Sequence, residues 1–333
     1  MVDFDEQIAE ASLRISSIKL SPEKPFQWAS GYFMPIYNDN RMNLRYPENR
    51  RLITDAFVDI IQRNNIKVEI IAGISTAGIA PAASLAQRLN VPIGITDGKK
   101  AEVYSSEWVK TMSAGAVGGD YDLVVSTCPD SIIPGVFVAN GLNLPFAYVR
   151  EKPKTHGTQQ QIEGIVKEGD RVLFLDYHKE KGKSYLEKAV EAVVEKGARI
   201  IDTISTNTCG GDVTFPDLLE GYHGLLVEDL VSFAGSSIDE LNFWRNVSGG
   251  VGKGLIINDC VSIFSYGFAE SLDRFRQANC NLHSALVYNR LLQTAVKTGA
   301  IRQDQQELLI EWRGDYKNWG EKHGFPPVKK ESK

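Results

Sequence analysis

The chain has 333 residues, of which 43% are hydrophobic, so it can build one large or two ordinary domains around a sizeable core. Its formal net charge of −5 argues against nonspecific nucleic-acid binding, which needs a basic face. The acidic N-terminus is unlike a signal peptide, and the sequence has no run of about 18 apolar residues that could span a membrane. The four cysteines show neither zinc spacing nor a disulfide framework. We therefore expect a cytoplasmic protein with reduced thiols.

The first third of the chain alternates predicted helices and strands. An amphipathic helix at about residues 4–18 is followed by a turn-rich aromatic segment at 24–41 and a second helix at 47–64. A clear βα unit comes next, with a strand at Val68–Gly73, a loop of small residues and a helix at Ile79–Leu89. Units of this kind predict an α/β fold with a central parallel sheet flanked by helices.

The middle of the chain repeats earlier and later segments. A strand and helix over 122–139 echo the unit at 70–92 after about 53 positions, and a strand at 171–176 echoes the segment beginning at Leu225, about 52 positions later. The nearly equal spacing indicates an inserted or duplicated segment at about 96–205. Chance similarity is the alternative, because any two parallel βα units share a hydrophobic pattern.

The end of the chain predicts one more strand and two helices. A strand at Asn281–Leu286 precedes a helix that ends near Gly299, and a helix at 303–312 precedes a polar tail that we expect to be disordered. The predicted organisation is therefore one domain over 1–300, interrupted by the middle segment, and a C-terminal helix and tail over 301–333.

Two adjacent carboxylates, Glu228 and Asp229, mark the most informative segment. They follow an apolar run and precede a loop of small and hydroxyl residues, after which a helical pattern begins at Ile238. At the carboxyl end of a parallel strand, the following helix N-terminus binds phosphate, while two acids suit the vicinal hydroxyls of a sugar or Mg²⁺. The segment predicts a site for a phosphorylated ribose, although a buried strand with an acidic end and a polar turn would look similar. The predicted phosphate cradle consists of Ser232, Ala234, Gly235 and Ser236.

Only one copy of each repeated unit keeps residues suited to this chemistry. The loop at Ser75, Thr76, Ala77 and Gly78 can approach a diphosphate with its backbone, whereas its echo at 128–131 contains a proline and an acid. The echo of the two carboxylates is Asp176 and Tyr177, followed by a charged and bulky loop. We therefore place the working site in the first and last units and treat the middle pair as structural.

A polar, glycine-containing loop follows the predicted strand that ends at Val149. It carries Arg150, Lys154 and His156 and leads into Ile162-Glu163-Gly164. Such a loop can close over an anionic substrate and neutralise a leaving diphosphate. A solvated surface loop would have the same composition.

These motifs, in this order, resemble those of the orotate phosphoribosyltransferases, which are type I phosphoribosyltransferases. The similarity covers roughly residues 10–300, with about 100 unmatched residues in the middle. It implies transfer of phosphoribose from phosphoribosyl diphosphate (PRPP) to a pyrimidine base, orotate, in pyrimidine nucleotide biosynthesis, with Mg²⁺ as cofactor.

The resemblance also implies roles for the motif residues. Glu228 and Asp229 would contact the ribose, with Mg²⁺ held by the substrate and Asp229 as the one possible protein ligand, and the 75–78 loop would hold the diphosphate. The residues expected to close over it are Arg150, Lys154 and His156, and those expected to cover the base are Phe26, Ser30 and Tyr37. In the family the loop that carries Arg150, Lys154 and His156 here enters the site of a partner subunit. This implies a homodimer, or an internal pseudo-dimer if the middle segment supplies the loop.

Four departures from the family pattern keep other readings open. Ala29 and Glu151 stand where the family has basic residues, Phe233 is bulkier than the usual Ser or Thr, and we find no arginine in the Ile256–Ser262 region to bind the orotate carboxylate. An unpaired buried carboxylate is costly. The alternatives are a phosphoribosyltransferase for another base and a non-catalytic nucleotide-sensing homologue.

Overall fold

The computed structural model describes residues 2–28, 31–108, 119–153, 160–177, 183–206, 219–247 and 254–326. Its helices are α1 (Phe4–Arg14), α2 (Pro47–Arg63), α3 (Ile79–Leu89), α4 (Ile132–Gly141), α5 (Lys183–Val194), α6 (Gly235–Arg245), α7 (Ala269–Gln277), α8 (Tyr288–Lys297), α9 (Gln303–Gly314) and α10 (Tyr316–Lys322), with a 3₁₀ helix at Asn40–Arg45. Its strands are β1 (Ile18–Leu20), β2 (Phe26–Gln27), β3 (Phe33–Met34), β4 (Ile36–Asn38), β5 (Ile70–Gly73), β6 (Ile93–Thr96), β7 (Ala101–Tyr104), β8 (Leu123–Thr127), β9 (Phe146–Val149), β10 (Ile162–Gly164), β11 (Arg171–Tyr177), β12 (Arg199–Thr206), β13 (His223–Val231), β14 (Ile256–Ser265) and β15 (Asn281–Val287).

The longer strands form two sheets, each with a parallel core. The first has the order β7-β6-β5-β13-β14-β15 and the second β10-β9-β8-β11-β12. In each sheet an edge strand, β7 or β10, runs antiparallel to its neighbour. The predicted α/β class with parallel strands and flanking helices is confirmed, and we call the units around the two sheets lobe 1 and lobe 2.

Lobe 1 is built from both ends of the chain, and lobe 2 from the middle. The second sheet runs from Leu123 to Thr206, inside the segment predicted as an insertion at about 96–205. Strand β7 also falls in that segment but pairs with β6 in the first sheet. The two lobes meet where α3 packs against α4, and buried residues of both helices belong to one continuous core.

The turn between β5 and α3 brings the backbone of the chain close to β13. Gly78 ends this turn, and a Cβ added there would lie 2.7 Å from the carbonyl oxygen of Val227 and 2.8 Å from that of Ile74. Real Cβ atoms do not approach backbone oxygens so closely, so only glycine fits. The 75–78 loop is thereby held beside the strand that carries the two carboxylates.

Two short antiparallel pairs, β1–β4 and β2–β3, form an N-terminal segment that α9 and α10 cover. The indole Nε1 of Trp312 lies 3.1 Å from the Met34 sulfur, and the rings of Phe33 and Phe325 stack at 5.0 Å. Helix α10 was not predicted from the sequence. The predicted tail beyond residue 326 lies outside the described residues.

Most predicted elements agree with the structure to within a few residues. Helix α3 has the predicted bounds, but α1 ends at Arg14 because residues 18–20 pair with β4 instead of extending the helix. Helix α6 begins at Gly235, three positions before the predicted start. No helix among the described residues is long and apolar enough to cross a bilayer. Of the cysteines, Cys128, Cys260 and Cys280 are free and buried, and Cys209 lies outside the described residues.

Candidate active site

The two adjacent carboxylates lie near the carboxyl end of β13, but their environments differ. Glu228 is 5% exposed, and its carboxylate accepts hydrogen bonds from the Ser237 hydroxyl at 3.1 Å and from the Asp229 N–H at 3.0 Å. Asp229 is partly exposed, and its carbonyl oxygen accepts a hydrogen bond from the Asn40 side chain at 2.7 Å. Asp229 is therefore the less buried residue of the pair and lines a small cavity, while Glu228 contacts the start of α6 through Ser237.

Burial raises the pKa of both acids. For Glu228 the neighbouring Asp229 carboxylate adds to the effect of burial, so its pKa lies well above the ordinary value. For Asp229 the effect of burial is partly offset by the Glu228 side chain and by the positive charge of Arg41. Since two acids this close resist carrying two charges and Arg41 favours the charge on Asp229, Glu228 keeps a proton more readily than Asp229.

The loop after β13 is shaped to present backbone N–H groups. Ala234 adopts a left-handed conformation (φ 59°, ψ 21°) immediately before α6. The first N–H groups of a helix lie outside its hydrogen-bond ladder, and with the helix dipole they favour an anion. The predicted cradle residues of this loop are therefore brought together at one helix N-terminus.

The aromatic ring of Phe233 packs away from this helix N-terminus. It stacks on Phe268 with centroids 5.1 Å apart and lies 5.1 Å from the ring of Tyr316. Arg274 donates a hydrogen bond to the Phe233 carbonyl oxygen at 2.8 Å. The bulky side chain is therefore accommodated by the C-terminal helices, and this departure leaves the backbone of the loop in place.

The 75–78 loop lies beside the two carboxylates because β5 pairs directly with β13. The Ser75 N–H donates to Glu240 Oε1 at 2.8 Å, and the Ser75 hydroxyl donates to the Thr96 carbonyl oxygen at 2.6 Å. Burial raises the pKa of Glu240 to about 7, and its second oxygen is buried without a hydrogen-bond partner in the described part of the chain. Sequence reasoning missed Glu240, because an acid on a helix usually lies on a solvated face.

Lobe 2 reaches this site through a chain of ion pairs. Arg41, next to Asn40, contacts Glu163 of β10 at 2.6 Å and Asp39 at 2.5 Å, and Glu163 in turn lies 3.4 Å from Arg150. Arg41 and Asp229 also line the same small cavity. The base of the predicted catalytic loop is thus joined through Glu163 to Arg41, whose positive charge acts on Asp229. Lys154 and His156 lie outside the described residues.

Several known proteins are similar to this chain over nearly its whole length. An orotate phosphoribosyltransferase of Cytophaga hutchinsonii is 27% identical over 318 residues, which are 96% of this chain and 99% of the relative. Proteins of the same name from Streptococcus agalactiae and Coxiella burnetii are 28% and 26% identical, over 96% and 94% of this chain and 99% and 97% of their own.

The chain is a homologue of the orotate phosphoribosyltransferases.

No protein-family model matches the chain. Among solved structures, a UMP synthase of Leishmania donovani has a TM-score of 0.46 and 16% identity, covering 93% of this chain and 42% of that one. The orotate phosphoribosyltransferase of Aeropyrum pernix has a TM-score of 0.42 and 12% identity, covering 88% of this chain and 99% of that one.

The segment that resembles the base-covering part of orotate phosphoribosyltransferases lies over the end of β14. The rings of Phe26 and Tyr37 are 5.7 Å apart, and Trp28 lies 5.6 Å from Tyr266, the first residue after β14. Burial raises the pKa of Tyr266, and its hydroxyl is without a hydrogen-bond partner among the described residues. Ser30 lies outside the described residues.

The resemblance to orotate phosphoribosyltransferases implies a carboxylate-binding arginine after the penultimate strand, which is β14. The Ile256–Ser262 segment lies inside β14, which continues to Ser265, so the residues after the strand begin at Tyr266. The sequence does not locate this end, because a continuous buried run gives no sign of where a strand ends. Residues 266–268 are Tyr, Gly and Phe, so the departure from the family pattern remains.

Proposed function

We propose that the chain is an orotate phosphoribosyltransferase that transfers phosphoribose from PRPP to orotate, giving orotidine monophosphate and diphosphate in pyrimidine nucleotide biosynthesis. The observation that carries the proposal is the position of Asp229. It lies beside the backbone of the 75–78 loop, before the N-terminus of α6 and within reach of the positive charge of Arg41. Relatives that span nearly the whole chain carry this name.

In the proposed reaction a nitrogen of orotate forms a bond to the anomeric carbon as the bond from that carbon to the diphosphate oxygen breaks, and the proton on that nitrogen passes to solvent. Asp229 orients the ribose hydroxyls and favours the positive charge that develops on the sugar. Glu228 supports Asp229 and the start of α6. Residues 232 and 234–236 hold the 5′-phosphate, and residues 75–78 hold the diphosphate.

The family resemblance implies Mg²⁺, and the donors at the site suit a shared ion. Among the described residues no cluster of three or more His, Cys, Asp or Glu side chains could hold an ion alone. Asp229 supplies a carboxylate, the donor type that Mg²⁺ prefers, on the lining of a small cavity. These residues fit an ion that arrives with PRPP and takes at most Asp229 as its protein ligand. When bound, such an ion neutralises charge on the diphosphate.

The polar loop and the aromatic segment complete the proposed roles. Arg150, Lys154 and His156 close over the diphosphate, and we assign Lys154 the largest single effect on the rate. Phe26, Ser30 and Tyr37 cover the base. Arg150 is held at the start of the loop through Glu163.

The direct test follows the loss of orotate absorbance in a mixture of protein, PRPP and Mg²⁺. We expect turnover by the wild type and at least a 100-fold loss for Asp229→Asn and Lys154→Ala, since each removes a charge at the reacting centre. The matched control is Asp176→Asn, at the position in lobe 2 that echoes Glu228, and it should keep the wild-type rate. Turnover that survives Asp229→Asn would contradict the assignment.

A different acceptor base is the second candidate. The residues after β14 are aromatic or glycine, with no cation at 266–268 to pair with a carboxylate. A panel of bases offered with labelled PRPP distinguishes the two, because diphosphate release with another base and none with orotate would replace the acceptor. Binding of PRPP without transfer to any base would identify a non-catalytic homologue.

A further inference from the structure

Equivalent strands of the two lobes pair in the same register. In lobe 1, β5 and β13 pair Ile71 with Leu225, and in lobe 2, β8 and β11 pair Val124 with Leu173. Val124 lies 53 positions after Ile71, and Leu173 lies 52 positions before Leu225. These are the spacings of the sequence repeat. Hydrophobic patterns alone do not fix which residues face each other across a sheet, so matching register is independent evidence of duplication.

Two further ladders agree with this register. Ile71 pairs with Ile93 in lobe 1, and Val124 pairs with Phe146 in lobe 2, again 53 positions later. The β13–β14 ladder shifts register immediately before Leu225, and the β11–β12 ladder shifts immediately before Leu173. A shared irregularity of this kind is a specific feature of a structure, because bulges are kept within families of related folds.

The contacts between the lobes are reciprocal, as across a two-fold axis. The Gln87 side chain of α3 donates to the Phe137 carbonyl oxygen of α4 at 3.3 Å, and the Asn140 side chain of α4 donates to the Ser84 hydroxyl of α3 at 3.1 Å. Asn140 and Phe137 lie 53 positions after Gln87 and Ser84. Gln87 and Asn140 also touch each other at 3.0 Å. Equivalent residues that meet in this way are the mark of an isologous interface.

The two lobes have kept different parts of the proposed site. Lobe 1 has Glu228 and Asp229, but its edge hairpin is closed by the short connection 97–100. Lobe 2 has Asp176 and Tyr177 at the echoing positions, but its edge hairpin carries the long connection 150–161. Neither lobe contains both parts, and the Arg41–Glu163 ion pair joins the part that each has kept.

The echo of the diphosphate loop in lobe 2 is filled by a side chain. The Tyr185 hydroxyl lies 2.9 Å from the Val149 carbonyl oxygen and 3.0 Å from that of Cys128, and it accepts a hydrogen bond from the Cys128 N–H at 3.2 Å. Asp176 is buried and accepts a hydrogen bond from the Thr127 hydroxyl at 2.7 Å. The Cys128 N–H is thus held by a side chain, as the Ser75 N–H of lobe 1 is held by Glu240, and lobe 2 differs in placing a bulky phenol at this turn.

We infer that this chain is a fused dimer, in which lobe 2 completes the site of lobe 1 within one polypeptide and has lost a working site of its own. The inference rests on the proposed function for the identity of the ligand, PRPP. One chain then binds one PRPP and needs no second copy for its activity.

Mixing two inactive variants tests whether lobe 2 acts within its own chain. Asp229→Asn damages lobe 1, and Arg150→Ala damages the loop of lobe 2. We expect no recovery of activity when the two are unfolded together, refolded together and assayed. Recovery would show that the loop serves a neighbouring chain and would overturn the inference.

Two further measurements separate this inference from the proposed function. Calorimetric titration with PRPP should give one site per chain, also in Tyr185→Phe, and two sites would overturn the inference. Light scattering should give the mass of one chain on dilution, and an obligate dimer would contradict the inference even if orotate is turned over. A monomer that binds one PRPP but leaves orotate unchanged refutes the proposed acceptor only, and a chain that binds no PRPP refutes both proposals.

Discussion

The Glu240 carboxylate makes the stability of the protein depend on pH in a way that one substitution can remove. Its pKa is raised by burial from the ordinary value of 4.5 to about 7, while the hydrogen bond from the Ser75 N–H opposes that change. The folded protein therefore binds a proton at Glu240 that the unfolded chain has released. The contribution of Glu240 to the free energy of unfolding is fully present below pH 4.5 and is lost as the pH rises through about 7.

The size of the effect follows from these two pKa values. At about 1.4 kcal/mol for each pH unit, the interval from 4.5 to about 7 corresponds to about 3 kcal/mol of unfolding free energy. Glu240→Gln keeps an oxygen that can accept the Ser75 N–H and cannot ionise. We expect this variant to match the wild type near pH 4.5 and to be more stable by about 3 kcal/mol at pH 8.

Urea unfolding of both proteins at several values between pH 4.5 and 8 measures the difference directly. Asp239→Asn is the matched control, because the preceding residue on α6 is exposed, and it should follow the wild-type pH dependence. Glu240→Ala removes the acceptor and leaves the Ser75 N–H without its partner, which costs about 1–3 kcal/mol. A constant difference between Glu240→Gln and the wild type at every pH would refute the reasoning.

Three other substitutions test the shape and charge of the site. Gly78→Ala places a Cβ against the carbonyl oxygens of Val227 and Ile74, so thermal unfolding should show a loss of about 2 kcal/mol or more in unfolding free energy. The control is Gly314→Ala, where an added Cβ has no atom within 4 Å, and this variant should be neutral or slightly stabilising. Phe233→Ala removes a ring that stacks on Phe268 and contacts Tyr316, and it should cost about 2–4 kcal/mol in urea unfolding, with a smaller loss for Phe233→Leu; an unchanged midpoint would show that the ring does not support the loop. Arg41→Gln removes the positive charge that lowers the pKa of Asp229, so the acid limb of the kcat/KM profile should move to higher pH; a shift to lower pH would contradict the assignment of Asp229 as the anionic group.

Local elements were predictable from the sequence because their determinants are local. Apolar periodicity and small-residue turns located β5, α3 and the end of β13, and the Glu228-Asp229 pair stood out because it interrupts an apolar run. The segment at 24–41 was predicted to be turn-rich and aromatic, yet its contact with β10 was not predicted. That contact joins Arg41 to Glu163 across more than a hundred residues, and no local pattern encodes it.

The sequence by itself determined the class of fold, the order of the motifs and the spacing of the repeat, since these follow from periodicity and residue type along the chain. Tertiary structure alone decided that the strands divide into two sheets, that Glu240 holds Ser75 from 165 positions away, and that the ring of Phe233 turns toward α10. The physical reason is that strand register, burial and ion pairing depend on which distant segments meet. A carboxylate acquires its pKa only from the neighbours that folding brings to it.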